Sequence, residues 1–383
     1  MKLVDFGSIM SMEKGKKPAK QFKKCENGLL PYVDIKAFET GVIDNYTNGD
    51  KCLPCNEGDV LIVCDGSRSG LVGRAIDGYV GSTLAKITAE GLTPNYLFHF
   101  LQGKYALLNT RKKGTGTPHL NPELLKRQKI YVPNFAEQQR IVAHIEELFS
   151  QLDKGVETLQ TIKQQLAVYR QAVLKEAFEE VDGETTIIRN LCKDIKVGIV
   201  IKPTQYYVNS GGIYAFRNSN VRRGFIDDRE WAMISIDGHI SNKRSEVHTG
   251  DVLISRSGAN LGMASAIPEK YDGYNAIDVV IAVPDKDKII PAYLAHYTNS
   301  PFGQVIVKER ERGAAQAHLN VTVYGKLPIV CPSIETQRTI IKQIEERCSI
   351  CDSIEQTVDA ALAQAEALRQ SILKKAFEGG FTQ

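Results

Sequence analysis

The sequence predicts an α+β protein made of two similar globular halves, each followed by a long helix, with the two helices pairing. Three observations predict it. Residues 133–179 recur at residues 332–378 with a constant offset of 199 and no gap, so one structural unit is used twice. Each copy is apolar on two positions of every seven. In the first, Leu148, Ile162 and Tyr169 share one position with the weak member Gly155, and Leu152, Leu159, Leu166 and Val173 share the other. In the second, Ile354, Ala361 and Leu368 face Cys351, Val358, Ala365 and Ile372. Such narrow seams, with charged flanks, suit one partner helix each, and the small Ala361 and Ala365 stand where the first copy has Ile162 and Leu166. The third observation is a looser repeat of the globular parts. Domain limits follow as 1–132, 133–182 (helix), 183–332 and 333–383 (helix).

In the first half, residues 12–20 with Lys23 and Lys24 read as a basic loop broken by Gly15 and Pro18. Short strands are expected around 32–35 and 41–44. Gly58-Asp59-Val60-Leu61-Ile62 reads as a turn feeding a buried strand, which leads into the polar loop 65–74. A helix follows near 94–101, and the basic run Arg111-Lys112-Lys113 enters a Gly/Thr loop closing at His119-Leu120-Asn121. The second half follows the same plan through Gly250-Asp251-Val252-Leu253-Ile254, a loop to Gly262, a helix near 291–297 and His318-Leu319-Asn320. The frameworks agree, whereas the polar loops differ.

At 383 residues with eight scattered cysteines, the chain fits reduced thiols and a cytoplasmic location. It has no run long and apolar enough to span a membrane and no signal peptide at its start. Net charge is +3, distributed as +6 over residues 1–132, −4 over 133–182, +3 over 183–332 and −2 over 333–383. A polyanion would meet the basic globular parts before the acidic helices.

Catalytic motifs are missing. There is no phosphate-binding Gly-x-x-x-x-Gly-Lys-Ser/Thr loop, no dinucleotide fingerprint and no His-Glu-x-x-His. Asn121-Pro122-Glu123 falls short of the Asn/Asp-Pro-Pro-aromatic motif of adenine methyltransferases, and Pro284-Asp285 has no matching Glu-x-Lys. Cys52-x-x-Cys55 and Cys348-x-x-Cys351 have metal-ligand spacing, but Cys351 lies on the helical seam, where cysteine acts as a small apolar residue. His119 and His318 occupy equivalent loops without a carboxylate or cysteine nearby in sequence, which suits a structural or DNA-contacting role. No cofactor, metal or catalytic residue is expected.

Over essentially its full length the chain resembles the specificity subunit of type I restriction-modification enzymes. The resemblance rests on the ordered double set of Gly-Asp-Val-Leu-Ile, Gly-x-x-x-Gly, His-Leu-Asn, Pro-x-x-x-x-Gln-x-x-Ile and Leu-Lys-x-Ala-Phe. It implies two target-recognition domains that each read half of a split DNA site, with the repeated helices as an antiparallel coiled-coil spacer. It implies double-stranded DNA and two methyltransferase subunits as partners, in the restriction form two ATP-driven motor-nuclease subunits as well, and no catalysis by the chain itself. The rival reading is a coiled-coil adaptor whose globular domains bind other proteins. Residues 148–173 would span roughly 38 Å at about 1.5 Å per residue, close to one DNA turn of about 34–36 Å. Candidate DNA contacts are Lys14, Lys16, Lys17, Arg68, Arg74, Arg111, Lys112, Lys113 and Thr115 in the first half. In the second they are Lys202, Arg217, Asn218, Arg222, Arg223, Arg256, Asn260, Arg312 and Gln316. Asn218 and Asn260 are the sharpest, because an amide can pair with adenine N6 and N7.

Overall fold

The computed structural model describes residues 2–110, 118–305 and 318–378. It divides into two compact units, Met1–Gln160 with Asp359–Gln383, and Thr161–Val358. Both units are built on a strand that is buried on both faces. In the first unit this is Val60–Val63, whose alternating side chains supply two separate cores. Val60 and Ile62 pack with the helix Pro94–Gln102, while Leu61 and Val63 pack with Val33 and Val80 of a second small sheet. That double burial is why the motif is a continuous apolar run rather than an alternating one. Val252–Ser255 does the same in the second unit, with Val252 and Ile254 in one core and Leu253 with Phe216 in another.

The main sheet of the first unit has the order Met10–Lys14, Leu84–Ala89, Val60–Val63, Val72–Arg74, all antiparallel. In the second unit the order is Cys192–Val197, Val279–Pro284, Val252–Ser255, Ala264–Ala266. Gly58 and Gly250 enter the central strands at φ +86° and +91°, a left-handed turn that glycine makes without steric cost. Each unit pairs its opening strand with the one before a long helix: Lys2–Asp5 with Lys129–Val132, and Glu184–Ile187 with Pro328–Cys331.

Two local expectations are corrected. Met12, Glu13 and Lys14 belong to a strand, because they complete the edge of the main sheet against Leu84–Ala89. Residues 41–44 form no strand. A one-and-a-half-turn helix, Ile35–Thr40, occupies this region, started by Asp34 accepting from Ala37 N and stopped by Gly41 at φ +71°.

A buried glutamine fastens each long helix to its unit. Gln138 accepts from Thr93 N at 2.8 Å and donates to Gly91 O at 2.7 Å and Pro133 O at 3.0 Å. Gln337 repeats this, accepting from Ile290 N at 2.8 Å and donating to Lys288 O at 2.9 Å and Pro332 O at 3.0 Å. Thr93 and Ile290 are the residues at which the helices Pro94–Gln102 and Pro291–Asn299 begin. The glutamine of the Pro-x-x-x-x-Gln motif thus joins a helix start, a strand end and the long helix itself.

The long helices are Phe135–Glu179 and Ile334–Phe377. In the second unit they run antiparallel. Arg170 pairs with Asp352 at 2.6 Å and Glu355 at 2.8 Å, and Arg347 pairs with Glu176 at 2.9 Å. In the first unit Arg369 pairs with Asp153 and lies 4.4 Å over the Phe149 ring. One expected heptad row is inward, with Leu166, Val173, Cys351 and Val358 buried. The other row is displaced by one residue. Tyr169, Ile354 and Leu368 are exposed, and the inward positions are Phe149, Val156, Lys163 and Arg170 on one helix and Cys348, Glu355, Leu362 and Arg369 on the other. Long charged side chains hold half of these places, because their stems cover the seam while their heads pair at its edge. A search for apolar residues alone finds the wrong neighbour.

The closing aromatic of Leu-Lys-x-Ala-Phe also has a repeated role. Phe377 stands edge-on to Tyr96 at 5.0 Å in the first unit, and Phe178 edge-on to Tyr293 at 5.2 Å in the second.

Gln337 is 0% exposed, so Gln337→Leu strands an amide and two carbonyls away from water. It is expected to destabilise the chain by about 2–4 kcal/mol, read as a lower denaturant midpoint with an unchanged slope.

Candidate nucleic-acid interface

The central strands end at equivalent points, and there the two units differ chemically. Gly70 N donates to Val63 O and Gly262 N to Ser255 O, both at 2.8 Å, closing the Gly-x-x-x-Gly loop after each strand. Leu120 N donates to Cys64 O and Leu319 N to Arg256 O, at 2.8 and 2.9 Å, bringing the His-Leu-Asn segment back to the same place. Asn121 and Asn320 then cap short helices by accepting from Glu123 N and Thr322 N. The motif is thus a return stitch. It holds Leu120 and Leu319 beside the ends of the central strands.

In the first unit this place holds Lys14, Asp65 and His119. Asp65 accepts from Lys14 Nζ at 2.8 Å and meets His119 Nδ1 at 2.8 Å. Burial would raise the Asp65 carboxyl, but the Lys14 and His119 hydrogen bonds outweigh it and hold the group below the usual carboxylate range. His119 therefore has a carboxylate partner that lies far from it in sequence. Only the fold brings them together.

In the second unit the same place holds Asn218, Arg256, Ser257 and Asp278. Asn218 Oδ1 accepts from Ser255 Oγ at 2.9 Å and Arg256 N at 2.8 Å, and its Nδ2 donates to Ser257 Oγ and the Asp278 carbonyl, both at 2.9 Å. These bonds occupy the amide's two donors and two acceptor sites. The expectation of an amide free to pair with adenine is therefore corrected for Asn218, which binds three loops to one another. Asn260 donates to the Asn218 carbonyl at 2.9 Å. Arg256 meets Asp278 at 3.1 Å.

The other expected contacts are dispersed. Lys16 and Lys17 are exposed just beyond the Met10–Lys14 strand. Arg68 is exposed and paired with Glu39 at 2.7 Å, and Arg74 lies 4.4 Å over the Phe98 ring. Lys202 is exposed, with φ +42°. Arg222 pairs with Asp227 at 3.1 Å, and Arg223 donates to Asn299 O at 3.3 Å. Arg217 follows the Ile213–Phe216 strand directly, with its backbone amide held by Asn220. Arg111, Lys112, Lys113, Thr115, Arg312 and Gln316 lie outside the described residues. Burial raises the Cys55 and Cys64 thiols to about 11, so neither is a thiolate at neutral pH.

Residues 1–167 match the family model described as the type I restriction modification DNA specificity domain. The chain is 27% identical to the type I restriction enzyme EcoBI specificity subunit of Escherichia coli, over 94% of this chain and 82% of that one. It is 23% identical to the MjaVIII specificity subunit of Methanocaldococcus jannaschii, over 98% and 92%. Residues 1–167 thus carry the match to the type I specificity domain, and the chain as a whole is similar to type I specificity subunits. A solved structure from work on the assembly and conformational transition of the type I R-M system shares the fold, with a TM-score of 0.71 at 19% identity, covering 99% of this chain and 98% of that one. Members of the family thus match this chain along its length, both repeats included.

Because the folded Asp65 carboxyl titrates below its unfolded value, its stabilising contribution is present above about pH 4 and lost as the pH falls through the lowered folded value. Asp65→Asn is expected to reduce stability at neutral pH and to converge on the wild type in acid. Denaturant unfolding across pH measures this, and a difference that stayed constant into strong acid would exclude a contribution from the charge.

Proposed function

We propose that this chain is the DNA sequence-recognition subunit of a type I restriction-modification complex and reads a bipartite target. The observation that carries the proposal is the pair of strand-end clusters, one framework bearing Lys14, Asp65 and His119 in one unit and Asn218, Arg256 and Asp278 in the other. Two readers with one scaffold and different polar ends are what two unlike half-sites require. Residues 1–132 and 183–332 are the target-recognition domains in this reading, and 133–182 and 333–383 the spacer. Lysines and arginines at the rims, Lys16, Lys17 and Lys202 among them, meet phosphates, whereas the strand-end clusters face base edges. The chain docks two methyltransferase subunits and, in the restriction form, two translocating nuclease subunits. It supplies recognition and no chemistry of its own.

Selection of bound duplexes from a random pool by this chain co-expressed with its methyltransferase partner tests the reading. Two fixed blocks separated by an unread spacer are expected, and no enrichment would sink it. Binding should fall about 10³-fold or more between 50 and 200 mM salt if about six phosphates are contacted, whereas an adaptor with an apolar protein interface would be nearly indifferent. Removing one heptad from each long helix shortens the rod by about 10 Å. The unread spacer should then contract by about 3 base pairs, which the same selection reads directly.

A further inference from the structure

Arg256 is fixed in three ways. Its backbone amide donates to Asn218 Oδ1 at 2.8 Å, and its carbonyl accepts from Leu319 N at 2.9 Å. Its guanidinium meets Asp278 Oδ1 at 3.1 Å. Asp278 is itself held in an unusual conformation, at φ +52°, a region that residues other than glycine seldom occupy. In that conformation its carbonyl accepts from Asn218 Nδ2 while its carboxylate reaches Arg256.

The fork so positioned is under-used. A guanidinium carries five donors, and among the described residues Asp278 is the acceptor that Arg256 meets. The Arg256 Nε is enclosed with no hydrogen-bond partner, although the side chain as a whole remains 20% exposed. Arg217, on the loop that Asn218 ties to Arg256, likewise has an enclosed Nε with no partner. Enclosed donors of charged groups left without acceptors are costly, so these two side chains are placed at some expense of stability. Asn218, by contrast, has nothing left to offer.

We infer that Arg256 is the side chain with which the second domain reads a guanine, through O6 and N7 in the major groove, and that Asn218 and Asp278 are positioning residues that hold its fork. The inference rests on the DNA-reading function proposed above and assigns one base contact within it. Guanine fits because its two acceptors match a planar fork, and a fork pinned by a carboxylate has little side-chain freedom left to lose on binding. A phosphate would be satisfied equally by lysine. A guanine edge would not.

The test uses the co-expressed complex, with Arg256→Lys as the first variant because it keeps the charge, and Asp278→Asn as the second because it keeps Arg256 itself. Each is compared with the wild type by duplex selection, and by affinity for the selected site and for random DNA. Arg256→Lys is expected to lower the preference at a single G·C pair, in one of the two blocks, by about 10- to 100-fold. The other block, random-DNA affinity and the salt slope should stay as in the wild type. Asp278→Asn should weaken the preference at that same pair, by less. If Arg256→Lys melts like the wild type and selects the same sequence, the inference is wrong. Equal losses on selected and random DNA overturn it too, by making Arg256 a phosphate contact or a structural residue. Failure of the wild-type complex to select any sequence would instead remove the DNA-reading function, and this inference with it.

Discussion

The repeated architecture depends on a buried glutamine at the root of each long helix. A long helix whose own seam is narrow and partly ionic would swing freely on its domain without a rigid joint. Gln138 and Gln337 supply that joint by satisfying, inside the protein, an amide and a carbonyl of the turn before a short helix and a carbonyl at the root of the long helix. Their side chains are 2% and 0% exposed, so none of these groups has water as an alternative partner. The proline five residues earlier, the antiparallel closing strands and the edge-on phenylalanines Phe178 and Phe377 all converge on the same roots.

Within each unit, the helices meet through a seam that is apolar on one row and mixed apolar and charged on the other. Leucine and valine on the first row provide burial, Arg170 and Arg369 on the second pair with carboxylates of the opposite helix, and Arg347 does so from beside it. Partly exposed ion pairs contribute modestly to stability. They do, however, discriminate between registers, since a slip of the helices would set like charges together.

The central strand gives each unit two cores at once, and the return stitch and the glycine loop are both bonded at its end. Side chains there are held by the fold but not consumed by its cores, so their identities are free to differ between halves. Asp65 in the first unit follows directly from the central strand, whereas Asp278 in the second arrives from the strand beside it. The two clusters are therefore not substitutions of one another. They are different solutions built on equivalent ground.

The sequence by itself determined the duplication, the double-faced central strands, the helices and their approximate ends, because these are written in periodicity, in paired glycines and in a constant offset. It also pointed to the family, since ordered motifs survive where overall identity is low. The tertiary structure alone decided which heptad row faces inward, because charged residues with apolar stems count as polar in any hydropathy pattern. It alone decided that Asn218 is spent on the loops around it, that His119 has a carboxylate partner, and that Arg256 stands half-satisfied beside a left-handed Asp278. Hydrogen bonds between residues tens of positions apart leave no period and no spacing in the chain. Strand ends meet only when sheets close, and the chemistry of a reading surface is settled there.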